Sequence, residues 1–265
     1  MKHKYLLVII LLVASFLRIY QLGSIPGSLN QDEAAIGYNS YSLLKTGADE
    51  HGKFLPLSLQ SFGDWKLPVY EYVDVLFIAI FGLTEFAVRL PSALSGAIGV
   101  LLIYKITQLF FKDEKIQLLA AFFFSVSPWS IYLSRAAYEV NLAVSLFMVG
   151  VYLLFSYLIK KNASSKYLVI SSIFFGLTLF TYHSFILFTP LFLIGIVILF
   201  RKQFILDKWV IISVIIILFF SGLSFMSLKS NGSNKVSNLS IINNQNVIYN
   251  RANKIKDDSS SKNII

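Results

Sequence analysis

The run L142-A-V-S-L-F-M-V-G-V-Y-L-L-F-S-Y-L-I159, closed at once by K160-K-N-A-S-S-K166, decides the fold class. It carries no charge and is long enough to match the roughly 20 apolar residues that an α-helix needs to cross a bilayer. Similar runs recur at Tyr5–Leu17, Tyr167–Phe180, Ile186–Phe200 and Trp209–Phe225. They are continuous and do not alternate, which excludes a β-barrel. In lipid every backbone polar group must bond within its own segment, so the chain reads as an all-α polytopic membrane protein. Composition agrees, with 56% hydrophobic and only 14% charged residues, against about a quarter charged in ordinary globular domains.

The lysines set the topology. By the positive-inside rule, Lys2 and Lys4 put the N-terminus in the cytoplasm. Lys160, Lys161 and Lys166 mark a second cytoplasmic loop, and Arg201, Lys202 and Lys208 a third. The basic start and apolar middle of residues 1–18 also suit a signal peptide. The length of the run and the membrane segments that follow favour an uncleaved first helix. The net charge of +9 is explained by residues flanking apolar runs, facing lipid head groups and not nucleic acid. The chain has no cysteine, which excludes disulfides and thiolate chemistry.

Counted forward from the first helix, residues 22–67 form an outer loop. Counted backward from the Lys160 loop, S134-R-A-A-Y-E139 is also outside. Three apolar stretches lie between them, 68–82, 87–111 and 116–130, so one must fail to cross. The expectation is 68–82, which is short and carries Glu71 and Asp74, both expensive in lipid; a shallow, re-entrant 116–130 is the alternative. Residues 1–226 are thus expected to form the membrane domain. Residues 227–265, rich in Asn, Ser and Lys, read as a polar outer tail or the start of a truncated outer loop. N231-G-S and N238-L-S match the glycosylation pattern, as chance allows in such a segment.

The acids collect in the first outer loop. In S28-L-N-Q-D-E-A-A-I-G-Y-N-S-Y41, Asp32 and Glu33 precede a small-residue pattern with Ala35, Ile36, Tyr38, Ser42 and Leu43 on one side. That predicts an amphipathic helix on the membrane, ended by the Gly punctuation of G47-A-D-E-H-G. A carboxylate in the first turn is favoured by the helix dipole, stays ionised and can act as a general base. In F62-G-D-W-K-L-P-V-Y, aromatics are expected around Lys66, a cation that can meet a lipid phosphate. Arg135 and Glu139 are four apart and would share a helical face, with Arg135 also suited to grip phosphate. Tyr182 and His183, at an outward helix end, face the same compartment. Each of these also has a plain structural reading, as solvated loop acids, a surface ion pair or a packed histidine.

Several pieces in order resemble glycosyltransferase family 39, the relatives of dolichyl-phosphate-mannose protein mannosyltransferases. They are L17-R, P26-G-S-L-N-Q-D-E-A-A-I-G-Y, G47-A-D-E-H-G, G63-D-W-K-L-P-V-Y, F81-G-L-T-E-F-A-V-R-L-P-S-A-L-S-G, S127-P-W-S-I-Y-L-S-R-A-A-Y-E-V-N and T181-Y-H-S-F-I-L-F-T-P. The resemblance implies a GT-C-like helical bundle and a polyprenyl-phosphate-linked sugar as donor. It implies a catalytic acid pair at Asp32 and Glu33, and it assigns Arg135 and Glu139 to the same site. The expected reaction is inverting transfer of the sugar to an acceptor hydroxyl at the outer face of the cell membrane. Lys66 and Arg135 would meet the phosphate, with Glu139, Tyr182 and His183 also lining the site. This chemistry requires no metal, and a divalent metal remains compatible with it. Members of this family are usually longer, so the chain reads as an N-terminal fragment. Two other readings stay open, a transporter or flippase of lipid-linked sugars and an inactive membrane fragment. Placement of the acids in the first outer loop and at helix ends, away from midmembrane, favours the enzyme.

Overall fold

The computed structural model describes residues 2–62, 64–160, 164–201, 203–204 and 208–239. The helices are α1 (Lys2–Ile19), α2 (Gln31–Thr46), α3 (Val69–Phe81), α4 (Glu85–Phe110), α5 (Glu114–Val126), α6 (Pro128–Ser134), α7 (Glu139–Ile159), α8 (Lys166–Thr178), α9 (Ser184–Leu199) and α10 (Lys208–Leu239). A small hairpin of β1 (Leu59–Ser61) and β2 (Asp64–Lys66) interrupts them. The all-α polytopic architecture is as the hydropathy pattern predicts. Among the described residues, α4, α7 and Lys208–Ser227 within α10 are each long and apolar enough to cross a membrane, and the bent pair α5–α6 makes a fourth when counted as one span. The outer surface of the bundle is apolar, with Leu12 65% and Phe219 61% exposed, as lipid-facing side chains are. Residues 227–239 continue α10 as helix; 240–265, the rest of the expected tail, lie outside the described residues.

Two ends of the bundle can be traced by contacts. At one, His3 Nδ1 lies 3.6 Å from Glu114 Oε2, joining the start of α1 to the start of α5. The Phe110–Phe155 and Phe155–Phe200 ring contacts bring the ends of α4, α7 and α9 together. Lys112, Lys115, Lys160, Lys166, Arg201 and Lys208 cluster in sequence around these same helix ends. At the other end, Arg18 near the close of α1 donates to the carbonyls of Phe124 and Ser125 at the close of α5 (3.3 and 3.0 Å). So α1 and α5 run in the same direction, and α4 returns between them.

The helix α3 does not follow this pattern. It starts three residues after Lys66 and ends at Phe81, four residues before α4 begins. Tyr70 in its first turn donates to the Val88 carbonyl in the first turns of α4 (3.0 Å). Both ends of α3 therefore stand at the same end of the bundle. Its 13 residues span about 20 Å, short of a hydrocarbon core of about 30 Å. The stretch 68–82 is thus a short helix whose two ends both lie beside the start of α4.

The break between α5 and α6 follows from Pro128, which has no N–H to offer the preceding turn; the two helices meet at 56°. The carbonyls freed at the end of α5 need donors, and the buried Arg18 supplies them, reaching Ser130 Oγ (2.8 Å) as well. Gly96 lets α4 approach the end of α6 closely, since a Cβ there would clash with the Ser134 hydroxyl. Polar side chains then join the apolar helices, as they do in membrane bundles. Asn141 donates to the Ser92 carbonyl (2.7 Å), Ser145 to that of Ser95 (2.8 Å) and Ser171 to that of Gly150 (2.9 Å).

Candidate active site

The linker between α1 and α2 has no regular structure, so its carbonyls need partners from elsewhere. Two arginines provide them. Arg135 donates to the Leu17 carbonyl in the last turn of α1 (2.9 Å) and to those of Tyr20 and Ile25 in the linker (2.9 and 2.8 Å). Arg89, fully buried in α4, donates to those of Leu22, Pro26 and Ser28 (3.1, 2.8 and 3.2 Å). This fixes where α2 begins, and with it the two acids in its first turn.

Asn30 caps α2, accepting from the Glu33 N–H at 2.9 Å, while Glu33 Oε2 accepts from the Asn30 N–H at 3.0 Å. That reciprocal pair is a capping box. Glu33 also receives Arg89 Nε at 2.8 Å and Nη2 at 3.2 Å, and the Ala137 N–H at 3.1 Å. Burial alone would raise its pKa. The Arg89 guanidinium and the two backbone donors outweigh burial and hold the carboxyl below the usual carboxylate range. Glu33 ties α2, α4 and the turn before α7 together, so its geometry is that of an internal brace. Arg89 has all five of its donors engaged. Residue-by-residue reading missed it, although a lone arginine in an apolar helix is costly enough to signal a partner.

Asp32 points the other way. Adjacent helical residues diverge by about 100°, and its side chain is 64% exposed while that of Glu33 is 3%. Its Oδ1 accepts from Lys66 Nζ at 2.8 Å. The lysine is delivered by the hairpin. In β2, Trp65 and Lys66 point to opposite faces; Trp65 meets the Lys53 ammonium, 4.6 Å from its ring, and Lys66 turns inward. Lys66 thus meets carboxylates, Asp32 first among them. Glu139 Oε1, from the first turn of α7, lies 3.7 Å from Nζ. Burial opposes the lysine's charge, but Glu139 and Asp32 outweigh it and raise its pKa.

The expected helical pairing of Arg135 with Glu139 is corrected. The helix ends at Ser134 and restarts at Glu139, so the two do not share a face; Arg135 turns to the end of α1 and Glu139 to Lys66. The inward face of α2 also differs from the expected one. Tyr38 is exposed, and Asn39 and Ser40 are buried instead. Asn39 faces inward because its amide finds partners there, donating to the Ala35 carbonyl (3.1 Å) and Ser61 Oγ (2.8 Å) and accepting from the Glu50 N–H (3.0 Å). The predicted Gly47 stop is present, in the left-handed region at φ +70°. Asp49 accepts the N–H groups of His51 and Lys53 (2.9 Å each), so it serves the loop's own turn.

Tyr182 and His183 lie between α8 and α9. The Val69 N–H donates to the Phe180 carbonyl (3.2 Å), tying this turn to the start of α3 and to the same end of the bundle as Lys66. All seven residues expected at the site therefore share one end. Three of them, Asp32, Lys66 and Glu139, form one charged cluster.

A family model described as dolichyl-phosphate-mannose-protein mannosyltransferase matches residues 66–225, more than half of the chain. The match starts at Lys66, so Asp32 and Glu33 lie upstream of it. No curated protein and no solved structure matches. The chain belongs to this family of membrane glycosyltransferases.

Proposed function

We propose that this family member transfers a sugar from a polyprenyl-phosphate-linked donor to an acceptor hydroxyl, with inversion, at the outer face of the membrane. The observation that carries the reading is the Asp32–Lys66–Glu139 cluster, in which an exposed carboxylate is held by a buried cation. A lipid-linked donor keeps its tail in the bilayer and its sugar phosphate at the surface, so its chemistry belongs where α1 emerges.

In this reading the donor phosphate draws Lys66 away from Asp32, because a phosphate oxygen competes with the carboxylate for the same ammonium. Asp32 is then free to accept a proton. The acceptor oxygen attacks the anomeric carbon from the face opposite the phosphate, and the bond from that carbon to the phosphate oxygen breaks with its electron pair. The hydroxyl proton passes to Asp32 and later to water. Displacement from the opposite face inverts the centre with one base. Lys66 stabilises the charge gathering on the departing polyprenyl phosphate, so the scheme requires no metal. Glu139 keeps Lys66 oriented and is a further candidate for contact with sugar hydroxyls. Tyr182 and His183 are further candidates for contact with the sugar.

The orientation follows from charge. The end of the bundle bearing Lys112, Lys115, Lys160 and Lys166 is assigned to the cytoplasm and the cluster to the opposite side. The test is transfer of a radiolabelled sugar from a polyprenyl phosphate carrier to membrane acceptors. Asp32→Asn should lower it by roughly 10²–10⁴-fold and leave donor binding in place. Near-normal transfer by this variant would remove Asp32 as the base.

A further inference from the structure

Behind the cluster lies an acid that the scheme does not use. Glu71, in the first turn of α3, is 0% exposed. Neither of its carboxyl oxygens has a hydrogen-bond partner on another residue. An ionised carboxylate out of water and unpaired is several kcal/mol unfavourable. A buried carboxyl group that bonds no other residue is also a poor structural residue, since an apolar side chain of that size would pack there at little polar cost. Its surroundings suggest what else it does. The charged groups that face it are Lys66 from β2, Glu139 from α7 and Asp74 from α3 itself. The other elements packed on α3 are α2 and α4, which carry Asp32, already on Lys66, and the mutually neutralised Glu33–Arg89 pair.

Lys66 is thus shared by two carboxylates before any substrate arrives. A third negative charge would leave nothing to attract an anionic phosphate. We propose that Glu71 is a positioning residue of this site, an uncharged carboxylic acid beside Lys66 that keeps the lysine's charge available to the phosphate of a lipid-linked donor. Burial first, and the neighbouring Glu139 second, push its pKa well upward, against the smaller opposite pulls of its own backbone N–H and of Lys66. As pH rises and Glu71 ionises, it competes with the phosphate for Lys66, and donor affinity falls. The inference rests on the donor reading above and adds a titrating group to it.

Two measurements on the full chain in detergent test this. The first is the infrared carbonyl stretch of protonated carboxylic acids. A band lost in Glu71→Gln should be present in the wild type at neutral pH and vanish at alkaline pH. Absence of any such Glu71-dependent band at neutral pH overturns the proposal. The second is binding of farnesyl phosphate as a function of pH. Wild-type affinity should drop about tenfold as the Glu71 band disappears, the effect of one added charge near the anion. In Glu71→Gln this alkaline drop should be absent, and in Asp74→Asn it should persist. If Glu71→Gln does not fold, Glu71→Met, similar in length and uncharged, takes its place. Superimposable wild-type and variant curves overturn the role of Glu71 alone. If neither protein binds farnesyl phosphate at any pH, the donor reading falls, and this inference falls with it.

Discussion

The Glu33 carboxylate meets the Arg89 guanidinium at 2.8 and 3.2 Å, and both side chains are shut off from solvent. Through this pair, a residue in the first turn of α2 and one 56 positions later in α4 hold the α1–α2 linker between them. Removing one partner leaves a buried charge uncompensated. Arg89→Ala and Glu33→Gln are each expected to destabilise the fold by roughly 3–5 kcal/mol, seen as a lowered Tm in detergent. The double variant Glu33→Gln with Arg89→Met should recover part of the loss, because neither charge is then stranded. Asp32→Asn, at an exposed position, should leave Tm near the wild type.

Lys66 is the cation that Asp32 and Glu139 share. Lys66→Met should weaken binding of a polyprenyl phosphate roughly ten- to hundredfold, the equivalent of one charged hydrogen bond. Isothermal titration with farnesyl phosphate would measure this. Affinity equal to the wild type would assign the phosphate to another group.

Asp74 predicts a pH dependence of stability. It is fully buried in α3, and burial pushes its carboxyl from 3.8 to about 8, with Ser40 offsetting part of the rise. The folded form therefore holds a proton that the unfolded chain gives up between these values. Stability from this group is full below about 4 and is lost as pH rises towards about 8. Thermal unfolding from pH 4 to 8 should show Tm declining across the window, and Asp74→Asn should flatten that decline. Glu33, held low by Arg89, works in the opposite direction and below the usual carboxylate range.

The two traced ends of the bundle predict an accessibility pattern. Single cysteines at positions 114 and 160 should label alike with an impermeant reagent in intact cells, and positions 32 and 139 should label together and oppositely to them. A cysteine at 114 labelling with 32 would contradict the shared end of α1 and α5.

Much of the fold is legible in the sequence because it depends on neighbours in the chain. Hydropathy marks the long helices, since lipid accepts little else. Pro128 breaks the α5–α6 span, Gly47 ends α2, and Asn30 with Glu33 three residues on caps its start; each acts within one turn. The acids at the emergence of α1 also mark the candidate site. What the local pattern does not carry is the division of labour there. Asp32 and Glu33 are chemically alike and adjacent. Only the approach of Arg89 makes one a brace, and only the hairpin that carries Lys66 makes the other an exposed, cation-held carboxylate. Likewise the i, i+4 spacing of Arg135 and Glu139 suggests a pair, but the broken helix sends Arg135 to carbonyls at Leu17, Tyr20 and Ile25, more than a hundred residues away. Buried charges take whichever partners the packed helices bring within about 3 Å, because an unpaired charge out of water is too unfavourable to persist. Those meetings are set by helix packing across the bundle, and so the tertiary structure decided them.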